Sequence, residues 1–335
     1  MQTRATKRAC RAIKELTPHK RLELFAGRSN LPLAQAIAAH LGVDLGEANL
    51  SEFADGEIHC RFGESIRGSD VFIIQSHSHP VNKSIMEHLI MIDAAKRASA
   101  KRITAVCPYY GYARQDRKSS GREPITAKLV ADMLSTAGVD RVVSVDLHSG
   151  QIQGFFDVPV DHLTAMPILT EYVQDNLGPD VVIVSPDAGR AKLADRFARH
   201  LNADLAIVDK RRQAGTGEVL ALGVMGEVSG RVCVLVDDQI STAGTMVAAA
   251  DQLKRHGATE VYAMATHGVF ADPAIDRLKN SVISRVVVTD TLPVADDLLI
   301  DKIEVLSVAG IIADALDAVF EDTSVSDIFG GENQS

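Results

Sequence analysis

From Leu22 onward, short apolar runs alternate with longer amphipathic stretches. LELFAG (22–27) precedes LPLAQAIAAHLG (31–42), DVFIIQS (70–76) precedes SIMEHLIMIDAAKRAS (84–99), and RITAVCPY (102–109) precedes ITAKLVADMLSTAG (125–138), before VVSVDLH (142–148). The second half repeats this grammar: VVIVSPDAG (181–189), RAKLADRFARHLN (190–202), ADLAIVDK (203–210), RVCVLVDDQISTAG (231–244), TMVAAADQLKRHG (245–257), EVYAMATHGVF (260–270) and RVVVTDT (285–291). An apolar run without polar alternation is a strand covered on both faces. Strands alternating with helix-length segments predict βα units and a parallel sheet. HGATEVYAMATHG (256–268) echoes ASAKRITAVCPYYG (98–111), so the pattern predicts an α/β protein of two similar domains, each a mainly parallel sheet flanked by helices. The boundary is expected near residue 165, within DHLTAMPIL (161–169), giving a basic extension over 1–21 and domains over 22–165 and 166–335. Open parallel sheets bind ligands at the carboxyl ends of their strands, so the polar segments after strands are the places to search.

Length changes this picture little, because 335 residues suit two ordinary domains. The composition, 46% hydrophobic and 24% charged, is that of a soluble globular protein. A net charge of −9 argues against a general nucleic-acid binder while leaving room for a local basic pocket. Cys10, Cys60, Cys107 and Cys233 form no CxxC pair, which points to a reducing cytoplasm and neither a zinc cluster nor a disulfide framework. No apolar run approaches the roughly 20 residues of a membrane span. The first 21 residues are basic with one acid, Glu15, and read as a solvated lead-in, with a transit peptide as the other reading.

Chemistry enters at VLVDDQISTAGT (234–245), where an apolar strand delivers Asp237 and Asp238 into a loop of small and hydroxylated residues. Backbone amides at the start of a helix near Thr245 favour phosphate. The hydroxyls of Ser241, Thr242 and Thr245 can donate to the same oxygens, and paired carboxylates suit the vicinal hydroxyls of a sugar. An N-capped helix beside surface acids is the plainer reading of the loop taken alone.

This loop resembles that of the type I phosphoribosyltransferases and of the related ribose-phosphate pyrophosphokinases, which make phosphoribosyl pyrophosphate. FADGEIHCRFGESIRG (53–68), YARQDRKSSGREPITAKLVADML (112–134), DLHSGQIQGFFDVPVDHL (146–163), VSPDAG (184–189), DKRRQAGTGEV (209–219) and SVSDIF (324–329) resemble the pyrophosphokinase branch, covering about residues 22 to 330. Six segments in family order are far more specific than one phosphate loop.

The resemblance implies a site residue by residue. Arg114 and Gln115 contact ATP, and Phe53, Asp55 and Glu57 reach its adenine and ribose from a neighbouring subunit of a homo-oligomer, a hexamer built from dimers. Arg212, Asp237, Asp238 and the segment Ser241, Thr242, Ala243, Gly244 and Thr245 hold ribose 5-phosphate, and Lys210 with Arg212 forms the catalytic pair. His148 and Asp187 are the ligands expected for ATP-bound Mg²⁺, with Asp146, Asp157 and Asp161 as weaker candidates. Asp146 and His148 are two residues apart, so strand alternation sends both to one side. Ser65, Arg67, Arg122, Ser324, Ser326 and Phe329 match positions where relatives bind activating phosphate and inhibitory ADP, with the tail near 320–330 packed on the first domain. Serine stands at 241 where many relatives carry aspartate, and Arg190 stands where glycine often follows SPDAG. His77 and His79 have metal-like spacing but no nearby carboxylate, and read as loop residues. The competing expectations are a phosphoribosyltransferase of nucleotide salvage and a catalytically silent homologue.

Overall fold

The computed structural model describes residues 20–212 and 219–329, with side chains outside the description at 210–222 and at Phe329. The expectations for residues 1–19 therefore lie outside the described residues, as do those for the Lys210, Arg212 and Phe329 side chains.

In chain order the first half contains β1 (Leu22–Ala26), α1 (Leu31–Leu41), β2 (Ala48–Glu52), β3 (Ile58–Phe62), β4 (Asp70–Ile74), α2 (Val81–Arg97), β5 (Arg102–Cys107), α3 (Thr126–Ala137), β6 (Arg141–Val145) and β7 (Val160–Leu163). The second half contains α4 (Met166–Leu177), β8 (Val181–Ser185), α5 (Ala191–Leu201), β9 (Asp204–Arg212), β10 (Val219–Met225), β11 (Val232–Ile240), α6 (Gly244–Arg255), β12 (Glu260–Gly268), α7 (Ala274–Lys279), β13 (Arg285–Thr289), β14 (Ile303–Leu306) and α8 (Ala309–Phe320). Local chemistry sets several boundaries. Pro32 opens α1, where a missing N–H costs nothing, and Gly42 ends it in the left-handed conformation that glycine adopts without a Cβ penalty.

The first sheet has the order β1-β4-β5-β6-β7 and is parallel throughout. The second has the order β10-β9-β8-β11-β12-β13-β14, parallel except for the β9/β10 pair. Because the chain moves outward from β8 through β9 and, in the other direction, from β11 through β12, the strand order reverses between β8 and β11. That reversal opens a crevice at their carboxyl ends. β2 and β3 form a separate antiparallel hairpin.

Alternate residues of each strand enter different cores, which explains the unbroken apolar runs. In the first sheet Leu24, Phe72 and Ile74 face one core while Phe25, Val71 and Ile73 face another. In the second, Ile183, Val234 and Val236 face the first of these cores, and Val182, Cys233 and Leu235 face a third. A single apolar layer, containing Ile37 of α1, Leu169 of α4, Phe197 of α5 and Leu316 of α8, thus lies between the two sheets. α8, the last long helix, packs on α1 of the first half. Beyond it Asp322 pairs with Lys20 and Arg102, each at 2.6 Å.

Candidate active site

The paired acids lie within β11, which runs on to Ile240, so the expectation that their loop begins where the strand stops needs correcting. β8 accompanies β11 only from Val232 to Leu235, whereas β12 continues beside it through Ile240. Asp237 and Asp238 therefore sit on a strand with one neighbour, their other edge open to the crevice. The turn after it ends at Ala243, whose φ of 58° is left-handed, and α6 starts at Gly244 with no side-chain cap on its amino end. The amino end of a helix favours an anion. Arg277 also closes on this turn, its Nη1 donating to the Thr242 carbonyl at 2.9 Å.

The first sheet faces this strand with His148. Its Nδ1–H donates to Asp238 Oδ2 at 2.6 Å, which leaves a lone pair on Nε2, 3.3 Å from Arg190 Nη2. A carboxylate fixing the tautomer of a metal-binding imidazole is the usual second-layer arrangement. Arg190 joins the same cluster, its Nε 2.8 Å from Asp237 Oδ1 and its Nη2 2.8 Å from Asp238 Oδ1. Burial and the Asp238 charge beside it raise Asp237 well above the usual carboxylate range. Burial pushes Asp238 up as well, but the His148 hydrogen bond and Arg190 outweigh it and hold Asp238 low. The pair is thus split into an acid that keeps its charge and one that gives it up more easily.

Asp187 follows β8 on the other side of the crevice and caps the short turn Ala188–Arg190, its Oδ1 accepting from the Gly189 amide at 2.9 Å. Asp146 departs from the expected role. Its φ of 36° breaks strand alternation after β6, and its Oδ2 accepts from the Ala165 amide at 2.9 Å and from Thr266 Oγ1 at 2.6 Å. That carboxylate ties the two sheets together. Asp161 is likewise engaged, paired with Arg141 at the opening of β6, and Asp157 is exposed.

Arg114 and Gln115 leave the turn after β5, both exposed, with Gln115 Oε1 accepting from Thr126 Oγ1 at 2.6 Å. Tyr109 stands between this segment and the acids. Burial raises its hydroxyl above the ordinary value, and the charges of Arg114 and Asp238 act on it in opposite senses. Phe53, Asp55 and Glu57 occupy the β2/β3 turn, with Phe53 57% exposed. Among the described residues no hydrogen bond or ion pair joins Ser65, Arg67, Arg122, Ser324 and Ser326 to one another, although Arg21 Nη2 donates to the Ser65 carbonyl at 3.1 Å. The backbone of β9 carries Lys210 opposite Ala221 and Arg212 opposite Val219 in the β9/β10 ribbon.

Sequence reasoning passed over Tyr109, His267 and the part Arg190 plays. Only Arg190 carried a signal, as the residue replacing a glycine. His267 donates across the sheets, its Nε2–H to the Asp146 carbonyl at 3.1 Å. His77 lies in the loop between β4 and α2, as expected, but it is buried, and with His88 and Cys107 it forms a cluster whose ligand atoms lie within 4.8 Å of one another. The Gly111 amide donates to His77 Nδ1 at 3.0 Å, so the neutral ring holds its proton on Nε2 and donates it to His88 Nδ1 at 3.2 Å. A metal would need both of those atoms as lone pairs, so the cluster reads as a hydrogen-bond chain.

A switch-point strand bearing two acids, running through a small-residue turn into an uncapped helix, defines the type I phosphoribosyltransferase-like class of α/β proteins. The family model for the N-terminal domain of ribose phosphate pyrophosphokinase matches residues 22–138, and that for the phosphoribosyl synthetase-associated domain matches 217–330. A ribose-phosphate pyrophosphokinase of Streptomyces avermitilis is 55% identical over 315 residues, covering 93% of this chain and 97% of the relative. One from Caldanaerobacter subterraneus is 56% identical over 310 residues, covering 92% and 98%. The crystal structure of phosphoribosylpyrophosphate synthetase from Mycobacterium smegmatis superposes with a TM-score of 0.86 at 49% identity, covering 90% of this chain and all of that one. The chain belongs to the ribose-phosphate pyrophosphokinase family.

Proposed function

We propose that the protein is a ribose-phosphate diphosphokinase that moves the β,γ-diphosphoryl group of ATP to the anomeric hydroxyl of ribose 5-phosphate, giving phosphoribosyl pyrophosphate and AMP. The observation that carries this reading is the meeting of Asp237 and Asp238, on the one-sided stretch of β11, with His148 from the opposite sheet. The acids accept from the ribose hydroxyls, while the amides and hydroxyls of residues 241–245 take the 5-phosphate. The anomeric oxygen attacks the β-phosphorus as the bond from that phosphorus to the α-phosphate oxygen breaks, and the leaving oxygen departs on AMP. Positioning and charge neutralisation dominate such transfers.

His148 Nε2 and the Asp187 carboxylate suit a Mg²⁺ ion, since the first keeps a lone pair once Nδ1–H is given to Asp238, with Arg190 Nη2 3.3 Å from it, and the second is an oxygen donor. When bound, the ion neutralises charge on the triphosphate. Lys210 and Arg212, carried on β9, meet the charge that develops on the transferring group, and Arg114 with Gln115 holds ATP. Phe53, Asp55 and Glu57 serve a neighbouring subunit's ATP from the exposed hairpin turn, which makes the working unit a homo-oligomer, a hexamer assembled from dimers. Ser65, Arg67, Arg122, Ser324, Ser326 and Phe329 form an intersubunit site for phosphate as activator and ADP as inhibitor. The halves divide near residue 165, and the enzyme works in the cytoplasm. Among the described residues no helix is long and apolar enough to cross a membrane.

A coupled assay for AMP from ATP, Mg²⁺ and ribose 5-phosphate, run with and without inorganic phosphate, tests the reading. AMP release that requires ribose 5-phosphate is expected, with phosphate raising the rate. A purely competitive pattern for ADP against ATP would remove the regulatory site.

A further inference from the structure

We propose that Arg190 stands in for the sugar in the empty site: its guanidinium holds the Asp237 and Asp238 oxygens that the ribose hydroxyls take, so ribose 5-phosphate binds by displacing it. Arg190 is then a positioning residue for the acid pair, and the proposal rests on reading that pair as the ribose site. The Arg190 backbone, at φ −105° and ψ 5°, closes the turn Ala188–Arg190 and precedes α5. From there the side chain reaches both acids, with Nε 2.8 Å from Asp237 Oδ1 and Nη2 2.8 Å from Asp238 Oδ1. Nη1 donates to the His148 carbonyl at 3.2 Å. The guanidinium thus lies where the segment after β8, the end of β11 and the loop after β6 meet.

Two features make this contact replaceable. Its donors have the layout of the substrate: Nε and Nη2 are neighbouring N–H donors on one edge of a planar fork, as the vicinal hydroxyls are neighbouring O–H donors on one edge of the sugar. Its fit is also incomplete. Asp238 Oδ1 is buried and, among the described residues, accepts no hydrogen bond, so the approach of Nη2 is a charge contact without an aligned N–H. Nη2 lies 2.8 Å from His148 Nδ1 as well, whose own proton is given to Asp238 Oδ2, so two donor nitrogens are pressed together. A buried carboxylate oxygen without an aligned donor is costly, and a sugar hydroxyl supplies the missing bond. When no sugar is there, Arg190 gives the counter-charge that two acids only 15% and 9% exposed need. Ribose 5-phosphate gains hydroxyl bonds at the expense of an ion pair, so the guanidinium lowers affinity for the sugar without changing the step that follows. A glycine at position 190 removes the competitor.

The experiment measures AMP formation by the full chain at saturating Mg-ATP, with ribose 5-phosphate varied, for wild type, Arg190→Gly and Arg190→Gln. Position 190 is the N-cap of α5, where glycine is tolerated. Each variant is expected to lower KM for ribose 5-phosphate about fivefold or more with kcat within about twofold of wild type, the split that follows when only competition for the free site is removed. A merely structural role raises KM or lowers kcat and cannot produce that split. If neither variant lowers KM, whether it is unchanged, raised or beyond measurement because turnover is lost, the proposal is overturned. A crystal structure with ribose 5-phosphate bound is expected to show the guanidinium beyond hydrogen-bond reach of both Oδ1 atoms, and a guanidinium still seated on them overturns it too. Asp237→Ala/Asp238→Ala separates the two levels of argument. A wild-type KM for ribose 5-phosphate there sinks the reading of the acid pair itself, whereas a raised KM there with no gain in the Arg190 variants sinks only the displacement.

Discussion

His77 and His88 show how one backbone amide decides what a cluster of metal-like residues does. Gly111 fixes the tautomer of His77, and both imidazoles are fully buried. Burial drives His77 well below its ordinary value, helped by His88, and drives His88 down to about 4 against a smaller opposing pull from the Ile73 backbone. Both rings are thus neutral when folded, while the unfolded chain protonates them below about pH 6.5. Their contribution to stability is complete above that value and is lost as pH falls toward 4. His88→Leu removes one of these groups. Between pH 7 and pH 5 wild type should lose about 2 kcal/mol relative to His88→Leu in urea unfolding, and a pH-independent difference would contradict the burial argument. At the reaction centre, Lys210→Ala should lower kcat by several orders of magnitude with little change in ATP affinity, because its charge matters chiefly in the transition state. A kcat within about tenfold of wild type, only about 1.4 kcal/mol, would remove Lys210 from that role.

Among the elements, the strands and helices of the βα units were legible because unbroken apolar runs and helical spacing are strong signals. The end of β11 was not: Asp237 and Asp238 are polar and β8 has already ended, so a strand paired along one edge reads like the start of a loop. The β2/β3 hairpin was similarly hidden, since both strands are half-exposed and only their turn, FADGE, stood out. That turn depends on Gly56, whose φ of 92° is left-handed and whose amide donates to the Phe53 carbonyl at 2.9 Å. A Cβ at Gly56 meets no atom within 4 Å, so Gly56→Ala acts through backbone strain alone, on the order of 1–2 kcal/mol. The expected result is a KM for ATP raised severalfold at nearly constant kcat, with the melting temperature little changed. An unaltered KM would separate this hairpin from nucleotide binding. Asp146 was misjudged for a related reason, because alternation ends with β6 and the left-handed residue after it turns its carboxylate to structural work.

At the scale of the molecule, the shared apolar layer could not be read from periodicity, which says that a strand is covered on both faces without saying by what. Leu316 of α8 is fully buried in that layer, with α8 packed on α1. Leu316→Ala should cost about 2–5 kcal/mol, and calorimetry should show one transition moving as a whole. Two separated transitions would mean that the halves are stabilised independently. Large apolar interfaces suppress relative motion between the parts they join. A molecule whose halves own a common interior cannot admit reactants by swinging them apart like jaws. The span from β6 to β11 therefore keeps its width through each turnover, and the timing of entry and departure falls to the surface segments that rim it.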